Sequence, residues 1–390
     1  MALTFASAKG LGVLRAQSPD DPAIHLPPEL RESVVDRWWP FTLWDVSVSF
    51  QLGGGYNSNP SLTAIADARQ PSSFLEYGGD LLFVRVPTDG NTLSILLGGS
   101  DRRYFGTESV LPQQSVFTQF SFLHESPSWW SAGVNATWLH INEVVDLSSL
   151  DNGLLVGTGQ LQGQTVIVRP NLSARLGTNW LASVELPLTR QAFSEPADSY
   201  YEVGPQALLT RKLPHDSTAS LGYSWTWRPY DDSPQINPNG EILLGGGMER
   251  LQYHSANFRW QQNWDADKHW RTLVNSSYTI ARDSGGGYYD YNSPRVSGQF
   301  TYRTDRWEVT ASASAIWYHY TQRTVSAAET ALRERREYTA GLRFKYEFTE
   351  HVSGLLGFEW ESSKSNFILG GVAVETYNAK TVSLGIQVEY

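Results

Sequence analysis

The sequence predicts an all-β protein, a transmembrane antiparallel up-and-down β-barrel of about sixteen strands. Three observations carry this reading. Apolar and polar residues alternate with period two in stretches of about 9–11 residues, the length a tilted strand needs to cross a bilayer. The connections between these stretches alternate short and long along the 390-residue chain. Fifteen Trp, nineteen Tyr and sixteen Phe accompany only two Met. Many of these rings fall beside the connections, where a side chain with an apolar body and a polar tip settles at headgroup depth.

Composition narrows the alternatives. A net charge of −10 lacks the cationic excess of a nucleic-acid surface, so no nucleic-acid partner is expected. The absence of cysteine removes disulfides, thiolate metal sites and a cysteine nucleophile. No run of about 18 apolar residues is present, which excludes a membrane-spanning helix. A soluble β-sandwich rich in core aromatics is the competing fold, but it has no reason to alternate short and long connections.

Residues 1–40 stand apart as a signal remnant or periplasmic arm. The stretch MALTFASAKGLGVLRAQSP is signal-like, with possible cleavage near Ala16 or Gln17, although Lys9 interrupts its apolar part. A short helix fits Pro28–Arg37. The barrel occupies 41–390. Its strands are expected at 43–56, 73–87, 91–101, 114–124, 129–141, 163–177, 179–192 and 200–213. The second half continues at 218–230, 250–264, 270–283, 293–303, 306–321, 336–348, 351–363 and 375–390.

The first strand sets the pattern. Trp44, Val46, Val48, Phe50 and Leu52 share one face, and Asp45, Ser47, Ser49 and Gln51 share the other. The same two faces recur at Trp130 to Trp138, Val166 to Leu176, Ala219 to Trp227, Trp307 to Trp317, Tyr338 to Phe348 and Val352 to Trp360. Short connections such as PTDGN (87–91), GTN (177–179) and RTDR (303–306) fall on one side, expected to be the periplasm. Long ones such as 57–73, 142–162 and 231–250 fall on the other, expected to be extracellular. An even strand number then places both termini in the periplasm. Two aromatic girdles follow: Trp44, Trp130, Trp180, Trp270, Trp307 and Tyr390 at the short-turn end, Trp317 and Trp360 at the long-loop end.

The last strand, TVSLGIQVEY (381–390), resembles the C-terminal strand of Gram-negative outer-membrane β-barrel proteins, which typically finish on an aromatic residue. The resemblance implies a bacterial outer-membrane location among lipid and lipopolysaccharide, and recognition by the barrel assembly machinery. The stretch GGGYNSNP (53–60) resembles the first hairpin of some barrels linked to polysaccharide secretion.

Polar inward faces in so wide a barrel imply an aqueous lumen. The pore-lining candidates are Arg169, Arg175, Arg228, Arg259, Arg295, Glu308, Arg343, Lys345 and Glu359. The expected function is a porin-like channel for passive diffusion of small polar solutes or ions. The rivals are a dedicated export pore for polysaccharide or another polymer, and a scaffold barrel enclosing a periplasmic or lumen partner such as a redox protein. No enzyme is expected: the eight His form no metal-binding pair, and neither His140 nor His319 has the spacing of a triad. No catalytic residue, cofactor or metal site is assigned. Asp283, Asp290 and the GGGYYDYN loop (285–292) are acidic enough for calcium but lack the EF-hand spacing.

Overall fold

The computed structural model describes residues 44–64, 69–106, 110, 112–146, 158–194, 197–325, 330–368 and 375–390. The expected arm over 1–40 and the helix at Pro28–Arg37 lie outside them. Eighteen strand segments form one closed antiparallel sheet. They are β1 (Trp44–Asn57), β2 (Ser72–Thr88), β3 (Asn91–Tyr104), β4 (Gln113–Glu125), β5 (Trp130–Asp146) and β6 (Thr158–Arg175). Next come β7 (Trp180–Glu185), β8 (Leu188–Phe193), β9 (Tyr200–Val203), β10 (Gln206–Leu213), β11 (Ser217–Pro234) and β12 (Met248–Asn263). The last are β13 (Trp270–Asp283), β14 (Tyr291–Arg303), β15 (Trp307–Thr324), β16 (Leu332–Glu347), β17 (Val352–Ser365) and β18 (Tyr377–Glu389).

Two neighbouring staves are each broken in two. β7 and β8 both pair with β6, and β9 and β10 both pair with β11. The breaks fall at Leu186-Pro187 and Gly204-Pro205. Proline has no N–H to give to a ladder, so each ring interrupts the pairing without changing its register. Counted as staves, the barrel has sixteen strands. β1 closes it against β18, with Leu52 opposite Ile386. Val48 and Tyr390 exchange both backbone hydrogen bonds at 2.8 Å.

Seven connections of two to six residues alternate with eight of six to fourteen, the pattern the sequence predicts. The tightest turn joins β2 to β3 through Asp89 and Gly90, both at positive φ (52° and 76°). That is the Asp-Gly geometry whose twist matches a two-residue hairpin. Strands run further than expected at their long-loop ends: β6 starts at Thr158 and β16 at Leu332. These extensions stand clear of the apolar band, so no hydrophobic alternation marks them.

The outward face is apolar and bare. Val46, Phe50, Leu52, Leu172, Leu221, Leu342, Leu356, Leu384 and Ile386 are all exposed, Leu384 to 68%. In water such a surface would be far above what a monomer leaves uncovered; in a bilayer it is matched to its solvent. Aromatic contacts bracket the band. At the short-turn end Trp270 meets Tyr302 (3.9 Å between centroids), Tyr302 meets Trp307 (4.8 Å) and Trp307 meets Phe344 (6.3 Å). At the other end Trp317 packs on Tyr338 (6.4 Å). Trp307 and Trp317 lie on one strand. Their separation is about 33 Å along it at about 3.3 Å per residue, or about 25 Å of height at a tilt of about 40°. That is the height of a lipid-facing band.

The two faces of β16 differ in one testable way. Leu342 points outward and is 51% exposed, whereas Thr339 points inward and shares a hydrogen bond with Ser314 at 2.7 Å. Leu342→Arg is expected to lower folding yield into bilayers, at about 2–4 kcal/mol near the midplane. Thr339→Arg is expected to fold with near-normal yield. Heat-modifiable mobility on a gel reads both, and equal yields would contradict the assignment of faces.

Candidate channel lumen

The closed sheet directs every second side chain into one interior, and that interior has two parts. In the short-turn half the inward residues are small and polar, and most stay partly exposed. Two adjoining cavities of about 470 and 440 Å³ lie here and at mid-height. They share Glu185, Gln206, Asn257, Ser277 and Arg295. Arg169 lines the larger and Arg259 the smaller. Arg175 lies exposed near the short-turn end of β6.

Charge is unevenly placed around this wall. The β6–β14 sector carries Arg169, Arg259 and Arg295 against Glu185 at the cavities. The β15–β18 sector carries Glu308, Glu347, Glu359 and Glu389 around Arg343 and Lys345. Lys345 Nζ lies 3.5 Å from Glu389 and 3.9 Å from Glu347. Glu308 accepts the Thr310 hydroxyl at 3.3 Å. Arg343 and Lys345 therefore sit among carboxylates, while the cations on the other wall outnumber theirs.

The long-loop half is packed. Tyr200, Tyr230, Ile236, Leu251, Tyr253, Ala281, Tyr288, Tyr289, Tyr291, Tyr318 and Tyr320 form one buried cluster inside the barrel. Arginines are threaded through it. Arg228, 2% exposed, donates to Glu202 at 2.7 and 3.0 Å and to the Tyr253 hydroxyl at 3.1 Å. Its guanidinium also lies over the Tyr200 and Tyr253 rings, at 4.4 and 4.9 Å. Arg335 meets Glu337 at 2.6 Å, and Arg102 donates to Glu76 at 2.6 Å. Each guanidinium is enclosed by a carboxylate or by ring faces, the two partners that tolerate it away from water. Loop residues complete the packing. Leu62 rests on Tyr377 and Ala379, and Ile236, Tyr288 and Tyr289 reach in from their connections.

The loop at 284–290 is tied by its own acid. Asp283 accepts backbone N–H groups from Gly285, Gly286 and Gly287 at 3.1, 3.0 and 2.7 Å on one oxygen, and from Tyr289 at 2.7 Å on the other. Asp290 accepts the Asp283 N–H at 2.7 Å, and burial raises its carboxyl above the usual range. These carboxylates hold the turn that inserts Tyr288 and Tyr289. The NSNP stretch is built the same way: Asn57 accepts the Asn59 N–H at 2.8 Å, and Asn59 accepts from Thr63 at 3.1 Å. His140 and His319 lie on the outward face, His319 at 3.8 Å from Glu334.

No protein-family model matches the chain, and no curated protein matches it in sequence. Solved structures resemble it distantly. OccAB1 of Acinetobacter baumannii is 10% identical, covering 89% of this chain and 96% of its own, with a TM-score of 0.45. OprB of Pseudomonas putida is 11% identical over 89% and 94%, at 0.44. OccK2 (OpdF) of Pseudomonas aeruginosa is 8% identical over 88% and 98%, at 0.46. At this distance the likeness is one of barrel architecture.

Sequence alternation placed Arg228 inward but gave no sign of the packing around it. Arg102, Arg323, Arg333, Arg335 and the inward tyrosines were missed. Their signal is the density of Tyr and Arg beside long connections, as in YHYTQR (318–323) and LRERRE (332–337). Removing one partner of a buried, hydrogen-bonded pair leaves the other unmatched. Arg228→Gln should therefore destabilise the folded barrel by about 3–5 kcal/mol, read as a lower denaturant midpoint. Arg306→Gln, in an exposed turn, should change it by less than about 0.5 kcal/mol.

Proposed function

We propose that the chain is a passive channel of a bacterial outer membrane, admitting small polar solutes or ions through its lumen. The observation that carries this is the contrast between the two faces of one sheet. The outside is bare and apolar, and the inside holds mid-height cavities lined by Arg169, Glu185, Asn257, Arg259 and Arg295. Closed barrels with this inversion suit an outer membrane, with long loops outside and both termini in the periplasm. Arg169, Arg175, Arg259, Arg295, Glu308, Arg343, Lys345 and Glu359 would line the route. Arg228 would instead brace the packed outer half. A polymer would have to displace that tyrosine packing along its whole length, whereas a small solute needs only local rearrangement.

Two experiments follow. The purified barrel should give stepwise currents in a planar bilayer. Replacing Arg169 and Arg295 together by Gln should move the reversal potential in a salt gradient toward cation preference. The shift should fade in 1 M salt, where the Debye length is about 3 Å. Absence of any current would remove the channel reading. Orientation has its own check: cysteines introduced at Asn239 and Gly286 should label on intact cells, and those at Asp216 and Asp305 should not. The reverse pattern would invert the topology.

A further inference from the structure

One cluster in the packed long-loop half brings two arginines together over the same rings. Between His319 and Thr324 the pairing of β15 with β16 shifts register: His319 lies opposite Glu334 and Thr324 opposite Leu332. The irregularity puts more residues on β15 than on its partner, which re-aims side chains across the sheet. By simple alternation Arg323 would share the outward face of Trp317 and His319. Instead it is 7% exposed and lies against Tyr288 at 4.0 Å, with Tyr320 and Phe367 each at 5.6 Å. Among the described residues no carboxylate lies within ion-pair distance of it and no hydrogen bond holds it; Glu375 attracts it from further off.

Arg333 is beside it, over the same two rings, Tyr320 at 4.8 Å and Phe367 at 5.1 Å. It is fully buried and donates through Nη2 to Glu375. Its Nε and Nη1 have no partner. Burial pushes the Glu375 carboxyl up, but Arg333 and Arg335 hold it below the usual range, so it is ionised. Arg335 has Glu337. Arg323 and Arg333 therefore lie side by side over shared rings, with two Arg333 donors left over. Ring faces stabilise a desolvated cation only modestly, well short of what burying an unmatched charge costs.

We propose that Arg323 and Arg333 form a binding site for an oxyanion at the outer mouth of the lumen, a phosphate, sulfate or carboxylate group carried by a small solute. Two planar guanidinium forks beside one another present donors in the geometry such groups accept. The site lies outside the mid-height cavities and does not depend on the channel reading, because it is tested by equilibrium binding.

The test is titration of the folded full-length barrel in detergent with inorganic phosphate, read by calorimetry. Saturable binding of one phosphate per chain is expected. Arg323→Gln should weaken it at least tenfold, and Arg306→Gln should leave it unchanged. Glu375→Gln removes the competing carboxylate and should tighten binding several-fold, which keeps the idea testable if the Arg323 variant folds poorly. Sulfate should compete and chloride should not. Absence of phosphate binding to the folded wild-type chain would overturn the proposal. So would equal binding by wild type and a folded Arg323→Gln variant.

Discussion

Inside a bilayer an unpaired amide has no water to turn to. Each such group costs several kcal/mol, so a sheet that enters the hydrocarbon must have no edge. The pairing of β1 with β18 meets that requirement. Once the sheet is closed, the rest of the architecture follows. Sixteen staves set a wide interior, and period-two alternation assigns one face to lipid and the other to the lumen. Successive strands must run in opposite directions, so short turns collect at one end and long connections at the other.

The same constraint explains what was legible in the sequence. Lipid contact demands apolar side chains at every second position, which wrote the strands from Trp44 to Tyr390 into the chain as alternation. Interfacial depth demands amphipathic rings, which wrote the Trp270–Tyr302–Trp307 belt beside the short turns. Neither demand operates above the membrane. There the strands run on without an apolar band, and the pairing between β15 and β16 slips by residues that no alternation announces. Arg323 is the clearest case: counting by twos sends it outward, and the bulge turns it in. The breaks at Pro187 and Pro205 are visible as prolines, but only the fold puts them side by side.

The lumen combines two ways of keeping charge in a membrane protein. At mid-height, Arg169, Arg259 and Arg295 face cavities of several hundred Å³, where water can solvate them. Towards the long loops the interior is filled, and guanidinium groups are instead laid on tyrosine rings or paired with acids. Tyrosine suits this filling better than leucine would. Its ring face receives the cation, and its hydroxyl can close a hydrogen bond, as Tyr253 does for Arg228 at 3.1 Å.

That division also bears on how a solute would pass. The packed half is assembled from strand ends and from loop residues that are held in place by local carboxylate–amide bonds, such as Asp283 with Gly285, Gly286, Gly287 and Tyr289. The strands beneath are held by continuous ladders and by the lipid band. Opening the long-loop half therefore requires moving side chains and loop backbone and leaves the barrel wall intact. On the proposed channel reading, the barrier to passage would reside in the Tyr–Arg packing, and the charge preference of the route would be set on the β6–β14 wall. A substitution in the first group would then alter how readily the barrel conducts, and one in the second which ions it prefers.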